Sequence, residues 1–237
     1  MILFRQHQKA RYSMNFSRKS IDILFELKLR DSREYYEEQK PIYKKVITEP
    51  FAEIAAGLAP TFEKIDSQLV CSPKCVSRVR RDTRFTRDKS LFRDHIWIAV
   101  SRPRERLGNA LSFYFCIEQT GFSYGCGYYQ APTAVMESLR ELIKSDDKSY
   151  KAAEKMLKAS PEFSLDGDIY KKNRFPDETE EKQNWLNRKS ISVNALSHDY
   201  DLLFSDKLIP FLCGEFEKLA PVYDLLLKAE IDSRKED

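Results

Sequence analysis

From Ser17 onward, apolar residues recur at three- and four-residue intervals, with Ile21, Leu24 and Phe25 leading and Lys28 continuing the spacing. That period predicts an amphipathic helix. Asp31-Ser32 stands where a second helix would be capped, opening on Arg33-Glu34-Tyr35-Tyr36. Pro41 and Pro50 are each expected to start a new helix, because proline is tolerated in a first turn and not in an interior. Phe51, Ile54, Ala55 and Leu58 supply the apolar face that follows.

The period then changes. Val76 to Arg81 reads as a strand. His95 to Val100 is almost continuously apolar and predicts a strand covered on both faces. Leu111, Phe113, Phe115 and Ile117 alternate with Ser112, Tyr114, Cys116 and Glu118, the signature of a half-buried strand. Phe122 to Tyr129 is expected to follow it, turned at Thr120-Gly121. Connections this short favour an antiparallel meander. Beyond Pro132, the positions Val135, Met136, Leu139, Leu142 and Ile143 form the cleanest amphipathic helix, and Ser149 to Ala159 forms another. Phe163 to Tyr170 reads as a hairpin around Asp166-Gly167. Residues 171–189 are polar and carry Lys171, Lys172, Arg174, Arg188 and Lys189; Ile191 to Val193 returns to the sheet. Ser205 caps a last long helix through Leu226, with bends expected at Pro210 and Pro221. The sum is an α+β fold: N-terminal helices, a central, mostly antiparallel sheet, and C-terminal helices packed on it.

Composition narrows this picture. In 237 residues, 42% are hydrophobic and 32% charged, values of a globular chain rather than a disordered one. With 15 Phe and 12 Tyr against 7 Gly, the core is expected to be aromatic and the loops few. Residues 1–13 show no periodicity and are expected to be a disordered or non-native extension; residues 14–230 are expected to form a single domain and 231–237 a polar tail. No apolar run approaches the roughly 18–20 residues that span a bilayer. Met1–Ser13 lacks the apolar core of a signal peptide. Five cysteines, an odd number, point to reduced thiols and a cytoplasmic location. The oligomeric state is not readable from these features.

One segment stands out chemically. Between Arg78 and Lys89 there are six cationic side chains against two acids, Asp82 and Asp88, a local excess of four positive charges. The whole chain carries only +3. The segment Arg80-Arg81-Asp82-Thr83-Arg84-Phe85-Thr86-Arg87-Asp88-Lys89-Ser90 resembles the domain of unknown function 2461 family. Leu24 to Tyr36, Tyr43 to Phe51, and Gly125-Cys126-Gly127-Tyr128-Tyr129 followed by Pro132 and a helix with Arg140 are similar to that family in the same order. The resemblance covers roughly residues 15–226. Leu91-Phe92-Arg93 departs from the family's Pro-Tyr-Lys and Asp31-Ser32 from its Asn pair, both preserving character. The resemblance implies one α+β domain and carries no activity, since the family has none established.

The candidate ligand-binding residues are Arg78, Arg80, Asp82, Thr83, Arg84, Lys89, Tyr114, Glu118 and Tyr128. Two-residue spacing places Arg78 and Arg80 on one face of a strand, and a guanidinium fork matches phosphate or carboxylate. Tyr114 and Glu118 from a neighbouring strand would complete an anion site. The opposing reading, Asp82 and Asp88 pairing with these arginines to pin a turn, stays open. Three functions follow: a ligand-binding or accessory domain for a small anionic ligand; an enzyme acting on a phosphorylated or carboxylated small molecule, with Glu118, Asp82 or a Tyr moving the proton; or a nucleic-acid-binding module with Tyr124, Tyr128 or Tyr129 stacking on bases.

The remaining motifs are weak. Gly125-Cys126-Gly127 lacks a third glycine and a P-loop lysine, and reads as close packing or a bulge. Cys71 and Cys75 have no second ligand pair for zinc, and the histidines His7, His95 and His198 are scattered. No metal and no cofactor is expected. A catalytic residue cannot be named, since neither Cys116 nor Cys126 has a base nearby in sequence.

Overall fold

The computed structural model describes residues 16–84, 86–103 and 109–235. The expected N-terminal extension, 1–13, lies outside the described residues, as do the last two residues of the expected tail.

Helix α1 (Arg18–Arg30) opens where Ser20 Oγ accepts from the Ser17 N–H and donates to the Val46 carbonyl. It ends at Asp31, which takes a left-handed φ of 46°. Ser32 then caps α2 (Arg33–Tyr43), accepting from the Tyr35 N–H at 3.2 Å, as the sequence indicated. Pro41 does not start a helix. It sits in the last turn of α2, and the chain continues through a wide π-turn, Lys44–Thr48, into α3 (Glu49–Ile65). A proline removes one rung of the hydrogen-bond ladder, and here the ladder re-forms beyond it with i→i+5 bonds such as Glu49 N–H to the Lys44 carbonyl. Pro50 lies in the first turn of α3, where its missing donor costs nothing.

The sheet contains β1 (Ile96–Ser101), β2 (Ser112–Glu118), β3 (Gly121–Gly127), β4 (Ser164–Asp166) and β5 (Ser192–Ser197) in the order β1-β2-β3-β5-β4, antiparallel throughout. The register aligns Ile98, Phe115, Tyr124 and Ala195 across one face, and Trp97, Cys116, Ser123 and Leu196 across the other. Only the first row is buried throughout. Against that face pack α3 and the C-terminal helices α8 (Leu208–Lys218) and α9 (Ala220–Ser233). Phe113 meets Phe62, Phe216 and Tyr223 at 5.1–5.7 Å, and Phe115 meets Phe51 at 5.9 Å. Helix α4 (Thr133–Lys144) and α5 (Lys148–Ala159) lie between β3 and β4 in the chain and share the apolar cluster with α9 through Leu139, Tyr150 and Leu226.

Several expectations need correction. The run before Val100 is not covered on both faces: Ile96, Ile98 and Val100 are buried, while Trp97 and Ala99 are half-exposed, because the described helices cover one side of the sheet. Val76 to Arg81 is not a regular strand. It meets the edge of β1 through an isolated bridge, Val76 to Ile98, with Ser77 N–H donating to the Trp97 carbonyl, and Arg80 bridges Phe92 in the segment before β1. Phe163 to Tyr170 is not a hairpin. Leu165 pairs with Val193 of β5, a partner supplied from far along the chain, and Gly167 (φ 123°) turns against the Ser190 carbonyl. Between them lies the short α6 (Glu180–Leu186). The last long helix is two helices, with Pro210 and Pro221 each in a first turn. Ser205 does not cap it, since Lys207 stands at the start of α8 without a side-chain cap, and α7 (Tyr200–Leu203) is a separate turn ahead of it. Helix α9 runs through Ser233, whose hydroxyl is buried and donates to the Glu230 carbonyl, so regular structure extends into the expected tail.

Candidate functional site

The arginine-rich segment forms the margin of the sheet beyond β1. Asp31 anchors it: the carboxylate at the end of α1 accepts from the N–H groups of Leu91 and Phe92 at 2.6 and 3.1 Å. The antiparallel contacts Arg81 N–H to Leu91 carbonyl and Arg93 N–H to Val79 carbonyl then close residues 79–93 into a loop.

Within that loop the charges divide into two groups. Arg84 forks onto Asp82, with Nε at 2.9 Å from Oδ1 and Nη2 at 2.6 Å from Oδ2. These bonds hold the Asp82 carboxyl down to about 2. Arg81 pairs with Asp88 and also donates to Ser90 Oγ. Asp88 is shared with Lys28 at 3.6 Å and is held below the usual carboxylate range by the Ser90 N–H, the Ser90 hydroxyl and Arg81. Lys89 Nζ donates to the Thr83 carbonyl at 2.8 Å. These contacts are the turn-pinning arrangement that the sequence left open.

Arg78 and Arg80 belong to the second group. Both are exposed, on either side of Val79, which is buried. Among the described residues neither guanidinium has a carboxylate within ion-pair distance, and the same holds for Arg87. Their backbone carbonyls are held by a third arginine: Arg93 Nη1 donates to the carbonyls of Arg78 and Arg80 at 2.8 and 3.1 Å. The Arg93 guanidinium lies 5.1 Å over the Trp97 ring, and His95 stacks on the same ring at 5.5 Å. Burial and the charge of Arg81 both lower the Arg93 pKa from its ordinary value, yet an arginine stays cationic in a protein. His95 Nδ1 lies 2.8 Å from Asp94 Oδ1, and this bond lowers the Asp94 pKa.

The structure gathers Arg80, Asp82, Thr83, Arg84 and Lys89 in that loop, with Arg78 directly before it, and separates the rest. Tyr114 and Glu118 lie on the outward face of β2, one strand beyond β1 and so about 10 Å, two strand spacings, from the arginine margin. Burial pushes the Tyr114 hydroxyl up to about 12, partly offset by its bond to Ser123. Tyr128 is a correction. It is buried, and its hydroxyl donates to Glu230 at 2.6 Å in the interior, so it cannot reach a ligand at the margin. Tyr124 is likewise internal and donates to Glu215. The residues missed in the sequence are Arg93, His95 and Trp97. Their two-residue spacing leads into β1 and was a signal that all three share its outward side.

The other motifs resolve as packing. A Cβ on Gly125 would stand 2.4 Å from the Val193 carbonyl oxygen, and one on Gly127 (φ 150°) 2.4 Å from Ser192 Cα. Cys71 and Cys75 donate to the carbonyls of Ala55 and Val70. Among the described residues no three His, Cys, Asp or Glu side chains gather as a metal would need. Cys116 is pushed up to about 12 by burial and by Glu118, which leaves a thiol without thiolate character at neutral pH. No described helix is long and apolar enough to cross a membrane.

A family model described as "Conserved hypothetical protein (DUF2461)" matches residues 19–225, a stretch that holds the whole sheet and the arginine loop. No curated protein matches the chain.

Proposed function

The chain belongs to the DUF2461 family of conserved hypothetical proteins, and from that premise we propose that it is a ligand-binding domain whose arginine-rich margin holds an anionic group. One observation carries the reading. Two exposed arginines, Arg78 and Arg80, stand one residue apart without carboxylate partners among the described residues, while their neighbours Arg81 and Arg84 are neutralised by Asp88 and Asp82. Crowded like charges are unfavourable until a counter-charge arrives, and a phosphate or carboxylate supplies one in the geometry a guanidinium fork prefers.

The enzyme reading has less support. The acids around the arginines, Asp82, Asp88 and Asp94, are held low and ionised, and the nearby Cys116 thiol is held high. Groups displaced away from neutral pH suit charge pairing better than proton transfer. A nucleic-acid module is the second reading, favoured by the half-exposed Trp97 and Tyr114 on the outward sheet face beside the arginines. A cytoplasmic location accords with five unpaired thiols.

The test is thermal unfolding in phosphate or sulfate against chloride at equal ionic strength, for the wild type and Arg80→Ala. Occupancy at 100 times the Kd adds about 2.7 kcal/mol, or about 5–10 °C for a chain of this size. The substitution is expected to remove most of that gain, and Arg80→Lys to restore little of it. Sulfate also stabilises by exclusion from protein surfaces, so an equal gain in wild type and variant would refute the site. A single-stranded oligonucleotide whose affinity falls steeply with salt, and which outcompetes phosphate, would favour the second reading.

A further inference from the structure

Far from the arginine margin, across the sheet, the polar segment after β4 builds a second cationic cluster around one ring. Arg174 Cζ lies 3.7 Å from the centroid of Tyr170, Arg140 Cζ 5.6 Å and Lys189 Nζ 5.8 Å. Arg140 is committed to structure: its guanidinium donates to the carbonyls of Leu186 and Arg188 and to the Tyr170 hydroxyl. Arg174 is different. Among the described residues its backbone N–H is bonded, to Asn187 Oδ1, while its guanidinium donors have no protein acceptor. Stacking on a ring face fixes the plane of a guanidinium and leaves its in-plane N–H groups directed outward, the state in which it recognises an anion.

Tyr170 is also a wall of a cleft of about 680 Å³, within the range of small-molecule sites. Ile169 forms an apolar patch beside it; the rest of the lining is amide and carboxylate, including Asn173, Asn184, Glu180 and Glu181. Asn173 is tied to Gln183 and Asn187, so this floor is held by its own hydrogen bonds. The cleft is therefore bipolar. Arg174 and Lys189 stand over Tyr170 at its rim, outside the lining, and carboxylate acceptors lie at the Glu180 end, where Lys158 is 3.6 Å from Glu181.

We propose that this cleft binds a sugar bearing an acidic group, with the phosphate or carboxylate on Arg174 and Lys189 at the rim, a carbon face against Ile169, and hydroxyls donating to Glu180 and Glu181. A dianion lying wholly inside the cleft would meet the two glutamates. A neutral sugar would leave the arginine fork unused. A large apolar ligand would find only Ile169 and one tyrosine.

Isothermal titration with glucose 6-phosphate, glucuronate, glucose and inorganic phosphate tests this, using the wild type, Arg174→Ala, Ile169→Glu and Arg80→Ala. The expected result is that glucose 6-phosphate or glucuronate binds at least tenfold more tightly than both glucose and inorganic phosphate, the better of the two identifying the acid. Arg174→Ala and Ile169→Glu each weaken that binding at least tenfold, with melting temperatures near the wild-type value because both side chains are exposed. Arg80→Ala leaves it unchanged, which separates this cleft from the arginine margin. Acidic sugars binding no better than phosphate, or wild-type affinity in Arg174→Ala, or a loss in Arg80→Ala, would each overturn the proposal.

Discussion

Removing the hydroxyl of Tyr128 separates an internal role from a ligand-binding one. Tyr128 and Glu230 are each 3% exposed, and the phenol donates to Glu230 Oε2 at 2.6 Å while Arg234 holds Oε1 at the same distance. Tyr128→Phe keeps the ring, so no cavity forms, and the donor to the buried Glu230 carboxylate is lost. Hydrogen bonds to charged groups contribute about 1.5–3 kcal/mol. A loss of about 2 kcal/mol corresponds to about 4–8 °C in Tm for a chain of this length. Tyr124→Phe removes the longer bond to Glu215, 3.1 Å, whose carboxylate keeps Lys218 on its other oxygen at 2.6 Å, and is expected to cost about half as much. Calorimetric unfolding of the two variants beside the wild type gives the comparison, and the phosphate-induced gain in Tm is expected to persist in both. A fall of less than about 1 °C in Tyr128→Phe would mean that the buried pair contributes nothing net. Loss of the phosphate gain with an unchanged Tm would return Tyr128 to the ligand site.

Further outcomes follow from the same contacts. Asp147 caps α5 and meets Lys228, and these bonds hold its carboxyl at about 2, below the usual 3.8. A carboxylate with a lowered folded pKa contributes stability that is complete above about pH 4 and lost as pH falls towards 2. Asp147→Asn should therefore melt lower at pH 6 and show a smaller further drop between pH 4 and 2; an identical pH profile would contradict the pairing. Burial raises the thiols of Cys71 and Cys116 to about 12 and that of Cys126 well above its ordinary value. All three should react with a disulfide reagent at pH 8 at least tenfold more slowly in the native than in the unfolded protein, and preferential labelling of Cys116 would show that burial is not in control. Gly125→Ala drives a methyl into the Val193 carbonyl and the Asn194 side chain and should cost about 1–3 kcal/mol. Gly214→Ala, in α8 with nothing within 4 Å of its Cβ, should stabilise by about 0.5–1 kcal/mol. Equal melting temperatures for the two glycine variants would defeat the packing argument.

What could be read from the chain alone was whatever neighbouring residues decide among themselves. The alternation in β2, the 3.6-residue period of α4, the cap at Ser32 and the turn at Gly121 are local energies, and each element formed where its pattern lay. The α+β order and the aromatic core followed from them. The family resemblance, carried by the Arg-Asp-Thr-Arg run, likewise needed no coordinates. Where an element's partner is distant, the pattern was silent. Leu165 found Val193 instead of folding back on its own hairpin, and the apolar run before Val100 gained cover on one face only. The site shows the same division. That the arginines cluster was legible; that Asp82 and Asp88 neutralise Arg84 and Arg81 while Arg78 and Arg80 have no such partners among the described residues was not. Nor could spacing show that Tyr128 points inward to Glu230, or that Arg174 stacks on Tyr170 beside a cleft. Charge is a property of the residue, but its compensation depends on which side chains meet in space, and that is settled by burying one face of the sheet under helices brought from both ends of the chain.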